Sequence, residues 1–302
     1  MNPIERVQAR PGYDRQTRVT FGFLIAVLGC LTGTPAPAGA QDKKAEVRFG
    51  VCDWTIGKSA DYTSFELARK LGLEGLQVSL NLAGESLALA SYELQKNYFL
   101  AAAASRVAIC SFAIGELNNV PLKSDPRAEK WLDQAIDIAA SMQVRRILVP
   151  FFGKGDLRKD PQGTAATIAC LKRLAPKAEK QHVILALESW LSAEDHVKII
   201  DAVGSKAVRV YYDVANAQER GYDVAREIGL LGKRICEVHA KDTKDLYGKG
   251  SIDFPAVLKA LEDIGYGGWL VIEGTKMPLG VEESVRYDAD YLRTVFATLT
   301  SR

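Results

Sequence analysis

Four short runs decide the fold: VILALE (183–188), VRVYYD (208–213), ICEVH (235–239) and WLVIE (269–273). Each is apolar and rich in β-branched or aromatic residues, which is strand character, and each is followed by a loop and a helical pattern. Each also ends in a side chain able to bind a cation: Glu188, Asp213, His239 and Glu273. If the strands are parallel neighbours, their carboxyl ends converge and one divalent ion can sit among three carboxylates and one imidazole. The bland alternative is that each acid opens a solvated loop or caps the next helix. That serves for one acid better than for four consecutive runs.

From residue 47 onward, strand-like runs alternate with amphipathic stretches, the pattern of parallel βαβ units. Further strands are expected at Arg48–Asp53, Gly75–Leu80, Ala108–Ile114 and Arg146–Phe151. Helices are expected at 64–71, 91–105, 126–142, 162–180, 193–203, 223–231, 254–264 and 283–299. Eight strands and eight helices without a Pro/Gly-rich linker predict a single (β/α)8 TIM barrel over residues 41–302, since a parallel sheet needs both faces covered.

The first forty residues read as an export signal. Arg6, Arg10, Arg15 and Arg18 precede an apolar core from Phe21 to Leu31, and a small, Pro-rich segment ends Ala38-Gly39-Ala40. Cleavage after Ala40 is the expectation, giving a periplasmic or secreted protein. The competing reading makes Val27-Leu28-Gly29-Cys30 a lipobox, with the chain anchored through Cys30. The apolar core is too short for an ordinary membrane span, so no stable insertion of the mature chain is expected. Taking four Arg and two acids from 39 basic and 37 acidic residues leaves 35 of each. A neutral chain lacks the basic excess that nucleic acid or anionic lipid would want. Cys52, Cys110, Cys170 and Cys236 lie inside apolar patterns and are expected as buried thiols rather than disulfides.

The oxygen-rich donor set suits manganese, magnesium or cobalt, with zinc a further candidate. Such an ion can chelate a carbonyl oxygen and the neighbouring hydroxyl of a sugar and stabilise the charge that develops as a proton is removed, which makes a carbohydrate a candidate small-molecule partner. If Glu188 and Glu273 face opposite sides of the sugar, one removes the proton and the other returns it. Epimerisation, aldose–ketose interconversion and β-elimination all remain open. Candidate substrate contacts at the predicted mouth are Trp54 and Trp190, which can stack on a sugar face, and Glu116, Asn118, Lys154, Lys241 and Asp242, which can bind hydroxyls. No phosphate loop of the P-loop kind is present, and an unphosphorylated substrate is expected. A non-catalytic sugar-binding barrel would not need two candidate bases around a cation. A homo-oligomer stays open.

The segments ALES with Glu188, YYDVAN with Asp213, EVHAKD with His239, the stretch 248–269 and VIEG with Glu273 resemble the xylose-isomerase-like barrels. That family includes sugar epimerases, inosose dehydratases, hydroxypyruvate isomerases and endonuclease IV, and the resemblance spans residues 47 to 300. It implies that Glu188, Asp213, His239 and Glu273 bind one divalent metal and that the two glutamates act as acid and base. One departure stands out. The ketose 3-epimerases carry a His three residues after the metal-binding Asp, where this chain has Asn216. Export and Asn216 also suit a branch that eliminates the aglycone from 3-keto-glycosides. The endonuclease IV branch needs several histidines for three zinc ions; His182 and His196 fall before a strand and inside a helix, away from such a cluster.

Strand alternation turns Glu237 inward with His239, and Arg209 and Tyr211 inward with Asp213. A buried charge needs a partner, so Glu237 is expected to pair with Arg209 or Tyr211.

Overall fold

The computed structural model describes residues 46–274 and 276–300. The leader read over residues 1–40, with Cys30 and Ala40, lies outside them. Eight parallel strands close into a barrel: β1 Arg48–Cys52, β2 Gly75–Ser79, β3 Ala108–Ala113, β4 Arg146–Phe151, β5 Ile184–Ser189, β6 Val208–Asp213, β7 Ile235–Ala240 and β8 Trp269–Ile272. Each strand pairs with its sequence neighbours and β8 returns to β1, with Arg48 opposite Trp269. The connecting helices are α1 Ser64–Lys70, α2 Tyr92–Ser105, α3 Pro126–Ser141, α4 Pro161–Lys180, α5 Ala193–Val203, α6 Val214–Glu219, α7 Val224–Leu231, α8 Phe254–Asp263 and α9 Val281–Thr300. The architecture is the single (β/α)8 barrel expected from the runs.

Local chemistry explains where the helices start. Asp125 caps α3 by accepting the Arg127 N–H, and Pro126 occupies the first turn, where no intrahelical N–H is needed. Trp131, Leu132, Ala135, Ile136 and Ala139 then recur at helical spacing and are buried on one stripe. Such stripes build the main core between helices and sheet. Inside the barrel, smaller groups fill the space: Ala113, Leu148, Ala186 and Tyr211 on one side, Cys52, Cys110, Trp269 and Val271 on the other. Among the described residues, Cys52, Cys110, Cys170 and Cys236 are free and buried. Among the described residues, no helix is long and apolar enough to cross a membrane.

Three features differ from the sequence reading. A two-stranded hairpin, Leu82–Ala83 with Ser86–Leu87, follows β2 and turns at Gly84, whose φ of 64° suits a residue without a Cβ. The helix α6 fills what reads as loop after Asp213. Glu237 is fully buried as expected, but its partners are Ser111, whose hydroxyl donates to Oε1 at 2.9 Å, and Arg146, whose Nε lies 3.5 Å from Oε2. Arg209 instead reaches the carbonyls of Lys206 and Lys233, and the Tyr211 hydroxyl makes no hydrogen bond. The reason is geometric. Interior layers of a closed barrel join side chains across the lumen, while the one-residue shift between Val210 and Tyr211 alters the register with β7.

Candidate active site

The carboxyl ends of β5 to β8 bring Glu188, Asp213, His239 and Glu273 to one rim of the barrel. Glu273 sits one residue beyond β8, its N–H bonded to the Ala240 carbonyl, so the ladder to β7 still orients it. His239 is the hub. Its Nδ1 lies 2.9 Å from Glu188 Oε1, 3.8 Å from Asp213 Oδ2 and 3.9 Å from Glu273 Oε2. One donor atom from each of Glu188, Asp213 and His239 falls within 4.8 Å of the others, the spacing of ligands around a single ion.

Asp213 divides its two oxygens. Oδ1 accepts the Asn216 N–H and caps α6, while Oδ2 faces the site without a hydrogen-bond donor. The capping role and the site role thus coexist in one side chain. Glu273 is held from both sides: Trp54 Nε1–H donates to Oε1 at 3.2 Å, and the Lys241 ammonium lies 2.8 Å from Oε2 and 3.4 Å from Asp213 Oδ2. Neither Asp213 Oδ2 nor Glu273 Oε2 has a donor aligned for a hydrogen bond, so both depend on nearby positive charge.

Electrostatics follow from this crowding. Burial and the neighbouring Glu273 and Glu188 push Asp213 above the usual carboxylate range, against the pull of Lys241. Glu273 moves the other way: burial opposes its charge, yet His239 and Lys241 outweigh that and hold it below the usual range. Desolvation works against charging His239, but Glu188 and Glu273 raise it above its ordinary value. The buried carboxylates of Glu188 and Asp213 and the half-buried one of Glu273, beside one ammonium and one imidazole, leave a deficit of positive charge and acceptor atoms without donors. A divalent cation answers both, and these residues fit one.

Above the cluster opens a cavity of about 630 Å³, lined by Trp54, Glu116, Asn118, Trp190, Asn216 and Lys241 among others. Trp190 packs against Phe152 at 5.1 Å and has the guanidinium groups of Arg158 and Arg220 at 4.8 and 5.2 Å from its ring. Two sequence candidates fall elsewhere. Lys154 is exposed on the turn Gly153–Gly155 and does not line the cavity. Asp242 is fully buried and spends its carboxylate on the backbone N–H groups of Lys244 and Ile252, shaping the loop after β7.

Residues 65–295 match the family model described as xylose isomerase-like TIM barrel. The chain belongs to that family. Within it, the chain is similar to an Escherichia coli K12 protein named for L-ribulose-5-phosphate 3-epimerase activity, 24% identical over 258 residues, or 75% of this chain and 88% of the relative. A solved L-ribulose 3-epimerase superposes with a TM-score of 0.70 at 18% identity, covering 83% of this chain and 95% of the other. A 3-keto-D-glucoside 4-epimerase from E. coli gives 0.70 at 16% identity, covering 82% of this chain and all of the other. At such identities the superpositions speak to the barrel itself.

One site residue has no counterpart in the sequence reading. Gln77 on β2 is fully buried and its Oε1 lies 2.8 Å from His239 Nε2. The signal was present: a Gln inside the apolar run GLQVSL must find partners if it turns inward.

Proposed function

We propose that this protein is an exported, divalent-metal-dependent isomerase or epimerase that removes a proton beside a carbonyl of an unphosphorylated sugar or keto-sugar. The observation that carries this reading is the convergence of Glu188, Asp213, His239 and Glu273 at one rim of the barrel, the two glutamates lining the cavity and coming from the ends of the strands that flank the other pair. The class is also that of the epimerase relatives. Glu188, Asp213, His239 and Glu273 would hold the ion, with manganese, magnesium or cobalt favoured by the oxygen-rich set and zinc also compatible. When bound, it supplies positive charge against the negative charge that develops on the sugar oxygen.

The chain's own groups do the rest. Glu188 and Glu273 both line the cavity, and each can take or return a proton at the carbon beside the carbonyl. Trp54 and Lys241 fix the carboxylate plane of Glu273, while Trp190 and Phe152 form an aromatic wall. Glu116, Asn118 and Asn216 offer hydrogen bonds to hydroxyls. Among the described residues lining the cavity, Lys241 is the sole basic side chain, and it is committed to Glu273 and Asp213. No other lining residue offers a cation to a phosphate group, Arg158 and Arg220 being placed over Trp190 rather than in the lining, which supports an unphosphorylated substrate. Export rests on residues 1–40 alone, and N-terminal sequencing of the secreted protein tests it; a lipid on Cys30 would replace cleavage after Ala40.

A second reading, 3-keto-glycoside β-elimination, has the room it needs. The cavity's 630 Å³ exceeds what one hexose needs and falls within the range, roughly 300–1,000 Å³, of sites that enclose larger ligands. Incubating metal-loaded protein in deuterated water with ketohexoses and with a 3-keto-glucoside separates the two. Deuterium in recovered sugar supports the first and aglycone release the second. Wild type performing no better than Glu188→Gln rejects both.

A further inference from the structure

Beneath His239 runs a chain of hydrogen bonds that crosses the barrel. The imidazole Nε2 meets Gln77 Oε1 at 2.8 Å, Gln77 Nε2–H donates to Ser111 Oγ at 2.9 Å, and Ser111 O–H donates to Glu237 Oε1 at 2.9 Å. Arg146 closes the lower end, 3.5 Å from Glu237 Oε2. Gln77, Ser111 and Glu237 are each 0% exposed. The register shift between Leu76 and Gln77 is what sets Gln77 directly opposite Ser111.

Such a chain has a direction. A carboxylate only accepts, so Ser111 spends its single O–H on Glu237 and must accept from Gln77. The amide nitrogen therefore points down and its oxygen up. An amide oxygen also only accepts, so the imidazole proton belongs on Nε2, and the Nδ1 lone pair is left facing Glu188, Asp213 and Glu273.

We propose that Gln77 is a positioning residue that fixes the tautomer of His239, making Nδ1 the metal-binding atom, and that the Glu237–Arg146 pair sets the direction of the chain that orients it. The proposal rests on the metal reading of the site.

The test uses the full mature protein at pH 8 with Mn²⁺ alone as ligand, and ¹⁵N-histidine long-range NMR with Zn²⁺ as a diamagnetic substitute. Only three histidines occur in the sequence, so each resonance is assignable. His196 provides an internal contrast, because its Nδ1 lies 3.0 Å from the Ser192 carbonyl and must carry its proton there. The expected result is an Nε2–H, Nδ1-ligated His239 in wild type. Gln77→Met, similar in size but with only a weak thioether acceptor, should lose about 10- to 100-fold in Mn²⁺ affinity. Gln77→Glu, which still accepts from Nε2 but no longer donates to Ser111, should recover part of that loss. Nδ1–H on the loaded His239, or a folded Gln77→Met that binds Mn²⁺ as tightly as wild type, overturns the proposal. If Gln77→Met does not fold, the wild-type tautomer decides. Failure of wild type to bind Mn²⁺ or Zn²⁺ overturns the metal reading as well, a distinct outcome from binding that ignores Gln77.

Discussion

Lys241 sets its ammonium 2.8 Å from Glu273 Oε2, and the same nitrogen reaches Asp213 Oδ2 at 3.4 Å. It therefore stabilises two of the oxygens that a divalent cation would take. Lys241→Met removes a positive charge from beside the ion's position, where a unit charge at such range counts for several kcal/mol before screening. Mn²⁺ should bind at least about tenfold more tightly to the variant, while turnover falls because Glu273 loses its clamp. Isothermal titration with Mn²⁺ checks it. Unchanged or weaker binding would show that the ammonium and the ion do not compete.

Glu188 and Glu273 sit in unlike surroundings, which makes their roles separable. Glu273 is gripped by Trp54 and Lys241, whereas Glu188 has His239 Nδ1 at 2.9 Å. Glu188→Gln and Glu273→Gln should each slow conversion by about 10²- to 10⁴-fold, the usual span for a lost acid or base. The informative readout is exchange. In deuterated water, the variant that keeps the proton-removing carboxylate should still wash deuterium into the starting sugar while its epimer fails to appear. Proton NMR of the recovered sugar measures this, and loss of exchange in neither variant refutes the two-base scheme.

The legible part of the molecule was the part whose pattern repeats. Apolar runs such as VILALE and VRVYYD announce strands buried on both faces, and their terminal acids announce a shared rim because parallel strands end together. The helix α6 escaped because six residues, Val214 to Glu219, are too few to show helical periodicity. The hairpin at Leu82–Leu87 escaped for the same reason, with two residues per strand. Partnerships inside the lumen were hidden by geometry: Glu237 finds Ser111 and Arg146 because strand tilt and stagger bring distant strands together, and no local pattern encodes stagger. Lys241 reads in sequence as a hydroxyl-binding loop residue, and only the fold turns it onto Glu273.

His196 makes stability sensitive to acid. It is buried in α5, with Nδ1 3.0 Å from the Ser192 carbonyl and Nε2 2.9 Å from Ser189 Oγ. Burial pushes it down to about 4, only partly offset by Ser192 and Asp195. Above about pH 6.5 both folded and unfolded chains carry a neutral imidazole, and it contributes no pH dependence. Between about 6.5 and 4 the unfolded chain binds a proton that the folded chain refuses, so stability falls as pH falls, by roughly 3 kcal/mol in all. Below that window both forms are protonated and the effect levels off. Urea unfolding at a series of pH values should show this slope in wild type and a shallower one in His196→Gln; equal slopes would assign the acid sensitivity elsewhere.

At the opposite end of the barrel from the site, a glycine makes room for an indole. A Cβ built on Gly75 would stand 2.5 Å from Trp269 Cζ3, and Trp269 is pinned between β1 and β7, with the Arg48 guanidinium 4.0 Å from its ring. The ring can yield only by disturbing that stack or the neighbouring Cys110 and Val271. Gly75→Ala should therefore destabilise by about 1–3 kcal/mol, the range for overpacking a filled interior. For a chain of this size that lowers the melting temperature by several degrees. Because Trp269 lies at the start of β8 and Glu273 just past its end, metal affinity should be unchanged well below the melting range. The control is a double variant. Trp269→Phe alone leaves a void and costs stability, but in combination with Gly75→Ala the smaller ring admits the methyl group, so the two losses should sum to less than their parts. Additive losses would mean that the contact between Gly75 and Trp269 is not what limits the position.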